Sequence, residues 1–233
     1  RITKAIARIL NASDTSFAVL GQEESCTGDP AKRAGNEFLY QMQAAQNIAT
    51  LNGYGIKRII TGCPHCFNVL KNEYPELGGN YEVLHHTQFI RELIENGKLR
   101  MADGAPFKGK RITFHDPCYL GRGNGEYLAP REVIQKLDAE LLEMRRCKQN
   151  AMCCGAGGAQ MFKEAEQGDT EVNHERTNEA LENKPEVIAT GCPFCNTMIT
   201  DGVKNANQES EVEVKDIAEL IAEAADLLDA PAS

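Results

Sequence analysis

The chain has 233 residues, of which 42% are hydrophobic and 25% charged, a globular composition with enough apolar mass for one large domain or two small ones. Its net charge of −9 and pI near 5.2 argue against a sequence-independent grip on nucleic acid and against docking on anionic lipid, since both need a cationic surface. No apolar run approaches the roughly 20 residues of a membrane-spanning helix, so the chain is not expected to span a membrane.

In chain order, residues 2–10 read as a helix, 16–21 (SFAVLG) as a strand and 36–52 as a helix. Residues 57–62 (KRIITG) form a strand that ends at Cys63, followed by a helix to about Tyr74, a strand over 81–86 and a helix over 87–97. Residues 101–110 carry Gly, Pro and Lys without periodicity and read as a linker. Beyond it come a strand at 111–116 (RITFHD), a helix at 129–138 with Pro130 near its start, and a strand at 140–145. A helix at 171–183, a strand at 186–191 (EVIATG), a helix at 195–206, a strand at 211–216 and an amphipathic helix at 217–228 complete the chain. Strands alternating with helices imply βαβ units and mainly parallel sheets. The expected fold class is α/β, with two tandem Rossmann-like domains over residues 1–105 and 106–233.

An internal repeat supports that division. ITGCPHCFNV (60–69) recurs as ATGCPFCNTM (189–198), and ESCTGD (24–29) answers MCCGAG (152–157), setting Cys26 opposite Cys154. The spacing is too long for a solenoid array and fits a duplicated domain with an internal pseudo-twofold. The second half opens with a strand and Cys118 that the first half lacks. A strand and a cysteine are therefore expected just upstream of Arg1.

Nine cysteines with C-x-x-C spacing and no secretory leader pattern read as metal or redox groups of a cytoplasmic protein, conditional on what precedes Arg1. Taken alone, Cys63-Pro64-His65-Cys66 is open to three readings: a thiol–disulfide redox pair, half of a zinc site, or part of an iron–sulfur site. The second half says more. Cys118, the pair Cys153-Cys154 and the pair Cys192/Cys195 each follow a strand, and in parallel α/β sheets the loops after strands share one edge. Thiol exchange needs two thiols, and a structural zinc or a cubane cluster takes four. Five, two of them adjacent, suit a larger polynuclear cluster, and the gaps are not those of the ferredoxin run.

Around them, Gly155 and Gly157 in GAGG (155–158) let backbone N–H groups approach cluster sulfurs. GRGNG (121–125) reads as a flexible lip beside Cys118. His115 and Asp116 end a strand next to Cys118, where a polar strand end and a supporting or proton-delivering role are both open. His85 and His86 end another strand; Cys147 has no counterpart in the repeat and reads as an ordinary thiol; His174 reads as solvated. Two rivals remain: a zinc-stabilised binding module, and a thiol–disulfide oxidoreductase working through Cys63 and Cys66.

The pattern C-x34-C-C-G-x36-C-x-x-C, with HDPCYLGR (115–122), CCGAGG (153–158) and ESCTGDPAKRAGNEF (24–38), resembles the cysteine-rich CCG domain. That family includes the B subunit of heterodisulfide reductase and the iron–sulfur subunits of lactate and glycolate oxidation systems. The resemblance covers essentially the whole chain and implies two such domains. It implies a [4Fe–4S]-type cluster, noncubane in heterodisulfide reductase, on Cys118, Cys153, Cys154, Cys192 and Cys195. For the first half it implies a metal group on Cys26, Cys63 and Cys66, a second iron–sulfur cluster or zinc. Ser25 departs from the pattern, standing where the first Cys of the pair belongs. The implied function is electron transfer within a redox complex. Its partners would be a flavoprotein or other iron–sulfur subunits, in association with a membrane-bound complex. No dinucleotide fingerprint is present, so hydride is expected to be handled elsewhere.

Overall fold

The computed structural model describes residues 1–102, 106–164 and 167–228. The protein is α/β, and its strands form two sheets, both wholly parallel. After α1 (Ile2–Ala12), α2 (Asp29–Arg33) and α3 (Glu37–Gly53), strand β1 (Arg58–Thr61) leads into α4 (Pro64–Asn68). Then β2 (Glu82–His85) leads into α5 (His86–Glu95). The rest of the chain supplies β3 (Arg111–Phe114), α6 (Leu128–Gln135), β4 (Glu140–Leu142), α7 (Val172–Glu182), β5 (Val187–Thr190), α8 (Pro193–Asn205), β6 (Glu213–Asp216) and α9 (Ile217–Ala224). One sheet is β1–β2 and the other runs β4–β3–β5–β6. The central strand β5 (VIAT) is buried at every position, as an apolar run in a parallel sheet covered on both faces should be.

The strand-to-helix junctions are tight for local reasons. Cys63 and Cys192 are extended N-cap residues, and the following Pro64 and Pro193 occupy the first helical position, where a missing N–H costs nothing. At the β6–α9 junction Asp216 accepts from Ala218 N–H at 2.9 Å while Glu219 accepts from Asp216 N–H at 3.0 Å, a capping box. At the β2–α5 junction Gln88 accepts from His85 N–H at 3.1 Å. The last residue of β2 and of β6 thus caps the next helix, and after β1 and β5 the cap comes two residues beyond the strand.

The largest apolar cluster draws on both sides of the linker. Ile9 of α1 and Ile90 of α5 pack with Ile112 and Phe114 of β3, Ile134 of α6 and Leu220 of α9. Phe107, in the stretch read as linker, is fully buried in the same cluster, and Ala102 N–H donates to Ala224 O. Residues 103–105, and with them the boundary drawn between 105 and 106, lie outside the described residues.

Three expectations are corrected. Residues 16–21 form no strand. Their counterpart β4 pairs only with β3, and residues 1–20 offer no equivalent of β3 for them to pair with. The helix after Cys66 ends at Asn68 and continues as a π turn over 69–73 and a 3-10 turn over 74–77; Pro75 has no N–H to extend an α-helix. The final helix stops at Ala224.

Candidate metal centre

Because the strands are parallel, the loops that follow them emerge at one edge of each sheet. Cys63 follows β1, Cys118 follows β3, Cys153 and Cys154 lie in the loop after β4, and Cys192 follows β5. Cys66 and Cys195 then sit one turn into α4 and α8. All nine cysteines are unpaired by disulfides.

The thiols form one unbroken run. Cys118 is in hydrogen-bonding contact with Cys153, Cys153 with Cys154, and Cys154 with Cys195. Cys195 contacts Cys192, which contacts Cys63, which contacts Cys66. The Cys63–Cys192 contact joins the first-half pair to the second-half set, a meeting that spacing alone did not reveal. Cys26 is exposed at the rim, where Gly28 N–H donates to its sulfur at 3.5 Å, and the neighbouring Thr27 hydroxyl donates to Cys66 at 3.4 Å. Cys147 is half-buried and has no thiol among its neighbours.

Proton affinities vary along the run. The hydrogen bond to Cys192 pushes Cys63 up to about 12, with burial adding to it. Contact with Cys63, then burial, raises Cys66. Contact with Cys153 and burial push Cys154 up to about 12, and contact with Cys154 and Cys192 holds Cys195 well above an ordinary thiol. Two sulfurs go the other way. Burial works to raise Cys192, but hydrogen bonds from Cys195 and Cys63 bring it down to about 6. Hydrogen bonds from Cys118 and then Cys154 lower Cys153, helped by Gly155 N–H at 3.3 Å. Cysteine binds a metal as thiolate, so a cation entering here must displace protons.

The glycine-rich turn works as close backbone approach. Gly155 sits at φ +93°, a conformation suited to glycine, and its amide reaches Cys153. The next amide of the turn, that of Ala156, reaches Cys154. Gly157 instead faces the His65 ring, with His65 Cε1 3.7 Å from where a Cβ would stand. The lip at 121–125 is pinned rather than loose: Asn124 donates to Tyr119 O at 2.7 Å and to Asn68 Oδ1 at 3.0 Å.

The histidines divide by partner. His115 is buried, and a ring nitrogen lies within 4.8 Å of both the Cys154 and Cys195 sulfurs. Burial, with the Arg176 charge adding to it, pushes its pKa down to about 3. Asp116 turns away into a bidentate pair with Arg131, at 2.7 and 2.8 Å, and accepts from Lys148 N–H. His85 touches no sulfur; its ring bonds Thr87 Oγ1 at 2.7 Å and Gly191 O at 3.0 Å, just before Cys192. His86 Nε2 lies 2.9 Å from Asp216 Oδ1 without hydrogen-bonding alignment. His174 is half-buried on α7, its Nε2 meeting the Asn205 side chain of α8.

Sequence reasoning missed a second layer beside the thiols. His65 Nδ1 pairs with Asp29 at 2.9 Å, and its ring packs on Tyr119 (centroids 4.3 Å apart) and edge-on to Phe194 (5.0 Å). Each of these residues lies within three positions of a cysteine, the one signal that could have found them. Arg176, which reaches His115 from α7, carried no such signal.

The model of the CCG cysteine-rich domain matches residues 1–71 and 112–200. Over 227 residues the chain is 44% identical to a Syntrophomonas wolfei protein named EtfAB:quinone oxidoreductase, covering 95% of this chain and 31% of that one. It is 45% identical over 224 residues to the probable iron-sulfur-binding oxidoreductase FadF of Bacillus subtilis, covering 96% and 31%. It is 36% identical over 229 residues to one polypeptide of the dihydromethanophenazine:CoB–CoM heterodisulfide reductase of Methanosarcina barkeri, covering 94% and 54%. The chain thus spans between a third and about half of the length of these relatives.

Proposed function

Because the chain belongs to the cysteine-rich CCG-domain family, we propose that it is the iron–sulfur electron-transfer part of a larger oxidoreductase. The observation that carries this is the unbroken run of thiols from Cys118 to Cys66 at the carboxyl ends of parallel strands. Soft sulfur donors in that number exceed what one tetrahedral ion can use and fit a polynuclear iron–sulfur group. Cys118, Cys153, Cys154, Cys192 and Cys195 would hold a [4Fe–4S]-type cluster, of the noncubane kind. Cys26, Cys63 and Cys66 would hold a second cluster or a zinc ion. A bound cluster supplies one-electron oxidation and reduction.

The chain's own residues set the conditions for that chemistry. Cys192 and Cys195 stand at the start of α8, a 13-residue helix whose N-terminus favours thiolate. The Gly155 and Ala156 amides offset negative charge on Cys153 and Cys154. Burial of Cys154, Cys192 and Cys195 keeps water from those sulfurs. Electrons would come from a flavoprotein or another iron–sulfur subunit; the quinone and heterodisulfide in the relatives' names mark the acceptor side. Among the described residues no helix is long and apolar enough to cross a membrane. We assign the protein to the cytoplasm and its chain to two repeated domains, residues 1–105 and 106–233.

The test is oxygen-free purification of the full polypeptide, followed by iron, sulfide and zinc analysis with EPR. Iron and acid-labile sulfide are expected, reduced in Cys195→Ser and unchanged in Cys147→Ser. A colourless protein containing zinc and no sulfide would overturn the proposal.

A further inference from the structure

Among the described residues Arg176 is one of the largest side chains that are completely buried. Its Nη1 donates to Arg146 O at 2.9 Å and to Glu179 at 3.1 Å, while Nη2 has no partner. Its Nε donates to His115 Nδ1 at 3.0 Å. A guanidinium has donors and no acceptor, so Nδ1 of His115 must offer a bare lone pair. A neutral imidazole whose Nδ1 is bare carries its proton on Nε2. His115 also presents a ring nitrogen within 4.8 Å of the Cys154 and Cys195 sulfurs. With Nδ1 engaged by Arg176, Nε2 is the nitrogen that has a proton to offer sulfur.

Removing a guanidinium from water costs several kcal/mol even after relaxation, and pairing with Glu179 offsets only part of that. The arrangement gives one ring a fixed orientation and a fixed tautomer beside the thiols. We propose that Arg176 is a positioning residue that locks His115 with its proton on Nε2, and that His115 donates this proton as a hydrogen bond to the Cys154–Cys195 sulfur pair without being a ligand itself. The inference rests on the cluster reading of this site. An N–H on a ligating sulfur stabilises the more negative, reduced state and so raises the potential.

The experiment uses the full polypeptide prepared without oxygen, with iron and sulfide measured first and the potential followed by EPR-monitored titration. His115→Leu removes the donor. It should keep the iron and sulfide content and lower the reduced-to-oxidised ratio at fixed potential about tenfold, a shift of ~59 mV for a one-electron couple. His115→Gln restores an N–H and should recover part of the shift. Arg176→Lys keeps the charge but loses the bond to Nδ1, and should lower the potential partway. In the unsubstituted protein with 15N-labelled histidine, a donor gives weak nitrogen coupling to the reduced cluster, and a ligand gives strong coupling. That measurement decides the matter even if the variants do not fold. Strong coupling, loss of iron in His115→Leu, or an unchanged potential with an intact cluster would each overturn the inference alone. An unsubstituted protein without iron or sulfide would overturn the cluster reading and this inference together.

Discussion

At the scale of single residues, Cys63 and Cys192 each cap a helix just past a strand, and thiols so regularly placed were legible. Their neighbours were not. Arg176 is far from His115 in sequence, and only the fold brings α7 to the residue just past β3. Likewise, the twin C-x-x-C motifs announced a repeat but not that Cys63 and Cys192 touch across it. Buried histidines carry a pH consequence. His85 is fully buried, and burial, reinforced by the neighbouring His86, holds its pKa well below the usual 6.5. The folded state therefore resists a proton that the unfolded chain accepts. Stability is complete above about pH 6.5 and falls as pH drops below it, by up to ~1.4 kcal/mol per pH unit for one such histidine. His115 adds the same sign of dependence down to about pH 3. Urea unfolding of metal-free protein between pH 5 and 7.5 should show this decline, and His85→Gln should make it shallower.

Elements were legible where periodicity was strong and neighbours did not interfere. The β5–α8–β6–α9 run was read to within a few residues because apolar strands and capped amphipathic helices alternate cleanly there. The 16–21 segment has strand composition but lacks a pairing partner, and β-propensity without a partner makes no strand. Helix contact also depends on one small residue. Gly202 of α8 faces Thr177 of α7 so closely that a Cβ there would stand 2.7 Å from Thr177 Cβ. Gly202→Ala should force the two helices apart and destabilise the protein by roughly 1–3 kcal/mol, read as a lower urea midpoint at unchanged slope. Since α7 carries Arg176 and Cys192 caps α8, the same substitution should also slow cluster incorporation.

For the whole molecule, the α/β class and the parallel sheets were read correctly from alternation, while the shared core was not. Residues 101–110 read as a linker. Yet α1 packs against α9, and Phe107 is buried where the halves meet. A side chain in α1 should therefore matter to the far half. Ile9→Ala leaves a cavity in this common cluster and should cost about 2–5 kcal/mol. Far-UV circular dichroism and the fluorescence of a thiol probe on Cys147 should report one coincident transition. Two separated transitions would mean that the halves melt independently.

The one-sided placement of the cysteines has a practical outcome for anyone wiring the protein to a surface. Five of the six described strands begin at Arg58, Glu82, Arg111, Glu140 and Glu213, exposed charged positions at the edges opposite the sulfur-bearing tips. Anchoring through those carboxylates would leave the redox edge turned toward the medium and open to a soluble mediator. Anchoring by the opposite edge would press the sulfurs against the electrode and shorten the tunnelling distance. Current measured in the two orientations would then differ for one and the same molecule.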